Sequence, residues 1–119
     1  MILLVEDDPA IRDTVAECLE AEGYAVTAFG HGAEALDWLR TADRPDLVVL
    51  DLVMPVMNGA ELIARLRAEP RLRDLKVVLM TAATSTPSHP SPAADTILTK
   101  PFDLDQLLEA VSRHVGLAA

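Results

Sequence analysis

Five side chains in this sequence carry types and positions that could do chemistry together. Glu6 and Asp7 follow the apolar run Ile2–Val5, and Asp51 follows Leu47–Leu50. Thr81 follows Leu75–Met80, and Lys100 follows Thr96–Thr99. Asp51 is the least ordinary of them, because in "DLVVLDLVMP" it interrupts a run that is otherwise built for burial. A carboxylate there costs free energy unless it is paired or bound to a metal. Three carboxylates brought together repel and raise one another's pKa values. A hard divalent cation such as Mg²⁺ removes that conflict, since it prefers oxygen ligands and keeps several waters. A hydroxyl and an ammonium opposite the acids could hold an anion. Together these groups describe a phosphoryl-transfer site. Asp51 is then the candidate nucleophile, forming an aspartyl phosphate.

Such a site needs elements that bring distant residues to one edge. Ile2–Val5 ends in "EDDP", where Asp8 suits a helix N-cap and Pro9 the first helical turn. Ile11, Val15, Cys18 and Leu19 recur at helical spacing, and Gly23 ends that helix. Ala25–Ala28 reads as a weak strand, Gly30 to Gly32 as a turn and Ala33–Arg40 as a helix. After the loop "TADRPD" comes the run Leu47–Leu50, then a loop from Pro55 to Gly59 and a helix over Ala60–Ala68. Leu75–Met80 and the weaker Thr96–Thr99 follow, and Leu104, Leu107, Leu108, Val111 and Val115 mark an amphipathic last helix. Continuous apolar strands alternating with helices predict an α/β fold: a five-stranded parallel sheet covered on both faces. The carboxyl edge of such a sheet is where ligands bind.

The 119 residues fit a single domain, with no internal repeat, and Met1 directly before the first strand fits a natural start. Half of the residues are apolar and only 3% aromatic, which predicts an aliphatic core. The formal charge of −9 argues against nucleic acid and against an anionic membrane surface as partners. One cysteine, Cys18, permits no intramolecular disulfide and no cysteine cluster for zinc. No apolar stretch is long enough to span a bilayer, and "MILLV" is too short for a signal-peptide core, so the expected location is the cytoplasm.

"LLVEDDP", "DLVVLDLVMPVMNG", "VVLMTA" and "LTKPF" occur in order, from Met1 to about Val115. In that order and spacing the chain resembles the receiver domain of bacterial two-component response regulators, the CheY-like family. The resemblance implies a doubly wound, flavodoxin-like sheet of order 2-1-3-4-5. It implies that Asp51 accepts a phosphoryl group from a phosphohistidine on a sensor histidine kinase or phosphotransfer protein. Asp7, Asp51 and the backbone carbonyl of Val53 would ligate Mg²⁺, with Glu6 acting through metal-bound water. The Thr81 hydroxyl, the Ala82 backbone N–H and Lys100 would contact the phosphoryl oxygens. Gly59 would end the loop that starts at Pro55, and the Lys100–Pro101 peptide would be cis. The chain would then be a signalling domain rather than a turnover enzyme, acting on a downstream partner.

Each residue also has a plainer reading. Glu6–Asp7–Asp8 alone is usually a solvated turn with a helix cap, Thr81 a strand-end hydroxyl and Lys100 a surface charge. Asp51 has the weakest plain alternative, because isolated acids are rarely buried. His31, His89 and His114 share no ligand spacing and read as surface residues, and Trp38 reads as packing. A haloacid-dehalogenase-like phosphatase also attacks with a strand-end aspartate, but its motif resembles D-x-D, and Val53 stands at the second acid's position. The full set of acids, Thr81 and Lys100 argues against a degenerate receiver that is never phosphorylated. The absence of a glycine-rich phosphate loop argues against a flavodoxin-like cofactor binder.

Two positions depart from the family pattern. Ile97 stands where receivers carry a switching aromatic, three residues before Lys100. A branched aliphatic cannot swing a polar ring edge, so the usual coupling of the Thr81 position to an aromatic is not expected. "TSTPSHPSPAAD" (Thr84–Asp95) replaces the family's fourth helix. Pro87, Pro90 and Pro92 each disfavour helix by roughly 3 kcal/mol, and no Leu, Ile, Val or Phe offers a face to bury. The fourth helix is therefore expected to be absent or reduced to one turn, and the family's dimer through that helix is not expected.

Overall fold

The structure is a computed structural model, and it describes residues 1–41, 44–52, 57–82 and 94–115. Among the described residues the elements run β1 (Ile2–Val5), α1 (Pro9–Ala21), β2 (Val26–Phe29), α2 (Gly32–Thr41), β3 (Leu47–Asp51), α3 (Gly59–Ala68), β4 (Lys76–Ala82), β5 (Thr96–Lys100) and α4 (Leu104–Val115), strand and helix alternating up to β4. All strand pairs are parallel, and the sheet order is β2-β1-β3-β4-β5. This is the expected doubly wound fold.

Period-two alternation divides the core between the two faces. Leu3, Val5, Val48, Leu50, Val77 and Leu79 pack with Leu36 and Leu39 of α2 and Leu62, Ile63 and Leu66 of α3. Ile2, Leu4, Leu47, Val49, Val78 and Met80 pack with Val15 and Leu19 of α1 and Leu107, Ala110 and Val111 of α4. Because β1 and β3 are covered on both sides, every residue of each is buried. The chain leaves β1 for one edge of the sheet and β3 for the other, so the crossovers diverge at their carboxyl ends. That switch point is where an open α/β sheet has room for a ligand.

Several boundaries differ from the sequence reading. Asp51, Thr81 and Lys100 lie within their strands rather than just beyond them, because the parallel ladder continues through Asp51↔Met80, Thr81↔Thr99 and Ala82↔Lys100. β2 is shifted one residue toward the carboxyl end, and α2 and α3 start one residue early, on Gly32 and Gly59. Leu104 opens α4 but is 47% exposed and does not join the buried stripe. It borders a surface groove against Ala10, Ile11 and Thr14 of α1. His114, expected at the surface, is half-buried, with its Nε2 2.7 Å from Thr96 Oγ1. Trp38 packs on Phe29, ring centroids 5.8 Å apart. Gly23 ends α1 with φ 96°, as its place in the sequence predicts. The expectation for Thr84–Asp95 falls almost wholly outside the described residues.

Candidate acidic metal and phosphoryl site

The β1–α1 turn sorts three consecutive acids by role. The Asp8 side chain caps α1, accepting from Ala10 N at 2.9 Å and Ile11 N at 3.3 Å, with Pro9 in the first turn. This is ordinary N-cap chemistry, in which a side-chain oxygen satisfies otherwise orphaned helix donors. Glu6 still follows the line of the sheet, its N–H donating to Phe29 O at 3.0 Å. Glu6 and Asp7 are thereby left at the sheet edge. On the neighbouring strand Asp51 is held against β4: it pairs with Met80 in register, and Leu52 N–H donates to Met80 O at 2.9 Å.

The carboxylates of Glu6, Asp7 and Asp51 each place an oxygen within 4.8 Å of the other two. Asp7 is half-buried, Glu6 is fully buried, and Asp51 is 7% exposed. Among the described residues, Glu6, Asp51 and Thr81 are the polar or charged residues that are buried rather than half-buried or exposed. Lys100 reaches in from β5, its Nζ 3.5 Å from both Glu6 Oε1 and Asp51 Oδ1. One ammonium cannot balance three carboxylates. Glu6 Oε2 is buried with no hydrogen-bond partner. Burial, reinforced by the hydrogen bond and charge of Asp51, pushes the Glu6 carboxyl up to about 8.

These features fit a hard divalent cation. Oxygen-only donors are the ones Mg²⁺ takes, and bonds of about 2.1 Å put opposite ligands about 4.2 Å apart. A cluster of this spread closes on the ion with small side-chain movements. An orphaned buried carboxylate oxygen is the kind of group that a cation or its waters satisfies.

The raised Glu6 carboxyl makes stability depend on pH when no divalent ion is bound. The folded chain keeps a proton that the unfolded chain releases above the ordinary value of 4.5. The stabilisation is complete below that value and is lost as pH rises toward about 8. The slope is at most about 1.4 kcal/mol per pH unit. Melting in a chelator should therefore show stability falling between about pH 5 and about pH 8, with a flatter profile for Glu6→Gln. Parallel profiles for the two proteins would exclude this role for Glu6.

Of the residues singled out from sequence, Glu6, Asp7, Asp51 and Lys100 meet at one point. Thr81 is buried near the end of β4, and the Ala82 backbone is the last position of that strand, opposite Lys100. The Lys100–Pro101 peptide is cis. Val53 and the start of the loop, Pro55 and Val56, lie outside the described residues, whereas Asn58 caps α3, its side chain accepting from Glu61 N at 2.9 Å. Sequence reasoning missed Arg12, whose Nη1 donates to the Glu6 backbone carbonyl at 2.9 Å. Its one sequence signal is its place a helical turn after the Asp8 cap, and that does not reveal what its side chain reaches.

Residues 2–112 match the response regulator receiver domain family. Response regulator MprA of Mycolicibacterium vanbaalenii is 41% identical over 110 residues, covering 90% of this chain and 46% of the relative. Response regulator MprA of Mycobacterium tuberculosis is 39% identical over the same length and shares. The chain thus spans about half the length of these curated relatives. Among solved structures, the signal receiver domain of a signal transduction histidine kinase from Syntrophus aciditrophicus aligns with a TM-score of 0.86 at 34% identity, covering 96% of this chain and 88% of that one. The receiver domain of sensor histidine kinase PA1611 from Pseudomonas aeruginosa, with a magnesium ion coordinated in its active site cleft, aligns at 0.87 and 27% identity, covering 97% and 96%. With the sheet order, the acid cluster and these similarities in agreement, the chain belongs to the receiver domain family of response regulators.

Proposed function

We propose that this receiver is a phosphorylation switch in which Asp51 takes a phosphoryl group from a phosphohistidine on a sensor histidine kinase or phosphotransfer protein. The observation that carries the reading is the buried acid cluster with Lys100 3.5 Å from two of its members. A carboxylate oxygen of Asp51 would attack phosphorus as the P–N bond of the phosphohistidine breaks, and the freed imidazole would keep the electron pair and take up a proton. Asp7 and Asp51, with the Val53 carbonyl, would hold Mg²⁺, and Glu6 would act through water bound to it. The ion would neutralise charge on the transferring group. Lys100 and the Thr81 hydroxyl would meet the phosphoryl oxygens, assisted by the Ala82 N–H. The elements from Ile2 to Val115 would act as one receiver unit on the cytoplasmic side, signalling to a downstream partner rather than turning over substrate.

No second acid stands two residues after Asp51, where a D-x-D phosphatase would need it, since Val53 is there. That favours a stable switch over a hydrolase. The test is incubation with a small acyl phosphate, with and without Mg²⁺, followed by intact-mass measurement. One added phosphoryl group is expected with the ion and none in a chelator. Equal uptake in the chelator would sink the cation's part in the reading.

Lys100 pairs with one acid just after β1 and one at the end of β3, and sits where β5 leads to α4. It would neutralise charge that appears only after transfer and pass that change along β5. Lys100→Ala should therefore impair the phosphorylation-dependent shift of β5 and α4 amide resonances more than it impairs phosphoryl uptake. A variant showing the wild-type spectral change would remove Lys100 from transmission.

A further inference from the structure

We propose that Arg12 is a positioning residue for the acid pair, fastening the backbone on both sides of Asp7. The inference rests on reading the cluster as a divalent-cation site. Its geometry is a short closed circuit. The Arg12 backbone N–H donates to the Asp8 carbonyl at 2.9 Å. The Arg12 guanidinium reaches back over the turn, and Nη1 donates to the Glu6 carbonyl at 2.9 Å in a half-buried setting. Asp7 lies between those two carbonyls.

The consequence follows from peptide planarity. The Glu6 carbonyl and the Asp7 N–H belong to one rigid plane. Holding that carbonyl limits rotation at Glu6 ψ and Asp7 φ, the torsions that set the directions of the two side chains relative to each other. The other end of Glu6 is already fixed, since its N–H donates to Phe29 O. Asp8 is fixed by its own capping bonds. Arg12 supplies the remaining restraint. β1 ends at Val5, so the Glu6 carbonyl lies beyond the strand, and a charged donor is a strong partner for it.

Gly30, just after β2, belongs to the same device. A Cβ at Gly30 would lie 2.8 Å from Arg12 Nη1 and 3.7 Å from its Cζ. The guanidinium occupies the space that any side chain at this position would need. Arg12 therefore sits between the β1–α1 and β2–α2 turns, and Gly30 leaves room for it. Neither residue touches the candidate cation. Partners of this kind, which hold a ligand's orientation rather than bind the metal, typically change affinity by about 10–100-fold when removed.

Two variants separate placement from charge. Arg12→Ala removes both the hydrogen bond and the positive charge. Gly30→Ala keeps the charge and displaces the guanidinium. Mg²⁺ affinity is measured by calorimetry below the melting temperature, and the Asp7 backbone amide resonance is followed without the ion. Arg12→Ala should weaken Mg²⁺ binding about tenfold and shift the Asp7 amide. Gly30→Ala should shift the same amide and weaken binding by a smaller factor. If Arg12→Ala does not fold, Gly30→Ala decides by the same two readouts. Wild-type affinity and an unmoved Asp7 amide in either variant would overturn the proposal. An effect confined to Arg12→Ala would assign it to charge and would overturn it equally. If the wild type binds no Mg²⁺, the cation reading fails by itself, and the amide shift decides the role of Arg12.

Discussion

Gly59→Ala should destabilise the chain by roughly 2–3 kcal/mol, the upper part of the overpacking range, and should slow phosphoryl uptake as well. A Cβ at Gly59 would lie 2.5 Å from the Asp51 carbonyl oxygen, 2.7 Å from Leu50 Cδ1 and 2.8 Å from Leu52 Cα. Two of those three obstacles are backbone, so no rotamer change relieves them. The chain is drawn this close by the Gly59 N–H, which donates to the Leu52 carbonyl at 2.8 Å and brings the start of α3 onto the end of β3. Elsewhere in a helix, Ala in place of Gly gains about 0.5–1 kcal/mol. Here the clash exceeds that gain. Against a total stability of about 5–15 kcal/mol for a domain, the loss is readily seen in urea unfolding. Relief of the clash shifts the end of β3 against the start of α3, next to Asp51, which links the packing defect to the site. A Gly59→Ala protein as stable as wild type would contradict the close approach.

Asp51→Asn should abolish phosphoryl uptake while leaving the fold intact. Asparagine keeps the shape of the side chain, but its amide is not a competent nucleophile toward phosphorus, and covalent transfer needs one. The loss should be complete rather than graded, because on this reading Glu6 and Asp7 serve the cation, and Glu6 is in addition fully buried. The substitution has a second, independent signature. The hydrogen bond and charge of Asp51 help to raise the Glu6 carboxyl. Loss of the charge lowers it, so the pH dependence of apo stability should flatten. Unfolding of Asp51→Asn in chelator at several pH values reads this directly. Wild-type uptake by the variant, measured by intact mass, would remove Asp51 as acceptor.

Much of this arrangement is legible in the sequence, for identifiable reasons. Short continuous runs such as "LVVL", rich in Val and bounded by loop residues, read as strands buried on both faces, and a charge or hydroxyl closing each run marks the edge that faces a ligand. Strand ends are less legible. Asp51, Thr81 and Lys100 read as residues beyond their strands because polar side chains interrupt the apolar run. The ladder is made of backbone groups, which ignore side-chain polarity, so pairing continues through all three. Helix starts at Gly32 and Gly59 are hidden because glycine carries no helix signal. In the structure both sit where a Cβ would press on neighbouring backbone, Met57 O in one case and Asp51 O in the other. Arg12 and His114 are hidden for another reason. Each meets a polar group on a different element, the Glu6 carbonyl or the Thr96 hydroxyl, and only tertiary packing sets such distances. Leu104 shows the converse: helical periodicity places it on an apolar stripe, yet the first turn of α4 lies over an open groove.

The site that takes up a phosphoryl group is the most direct test of Asp51 as acceptor. The wild-type chain is exposed to a small acyl phosphate with Mg²⁺, then cleaved and read by tandem mass spectrometry, with a parallel sample treated with hydroxylamine. One phosphoryl group on Asp51, labile to hydroxylamine as an acyl phosphate must be, is the expected result. A phosphoryl group on a serine, threonine or histidine, or no uptake at any concentration of the ion, would contradict it.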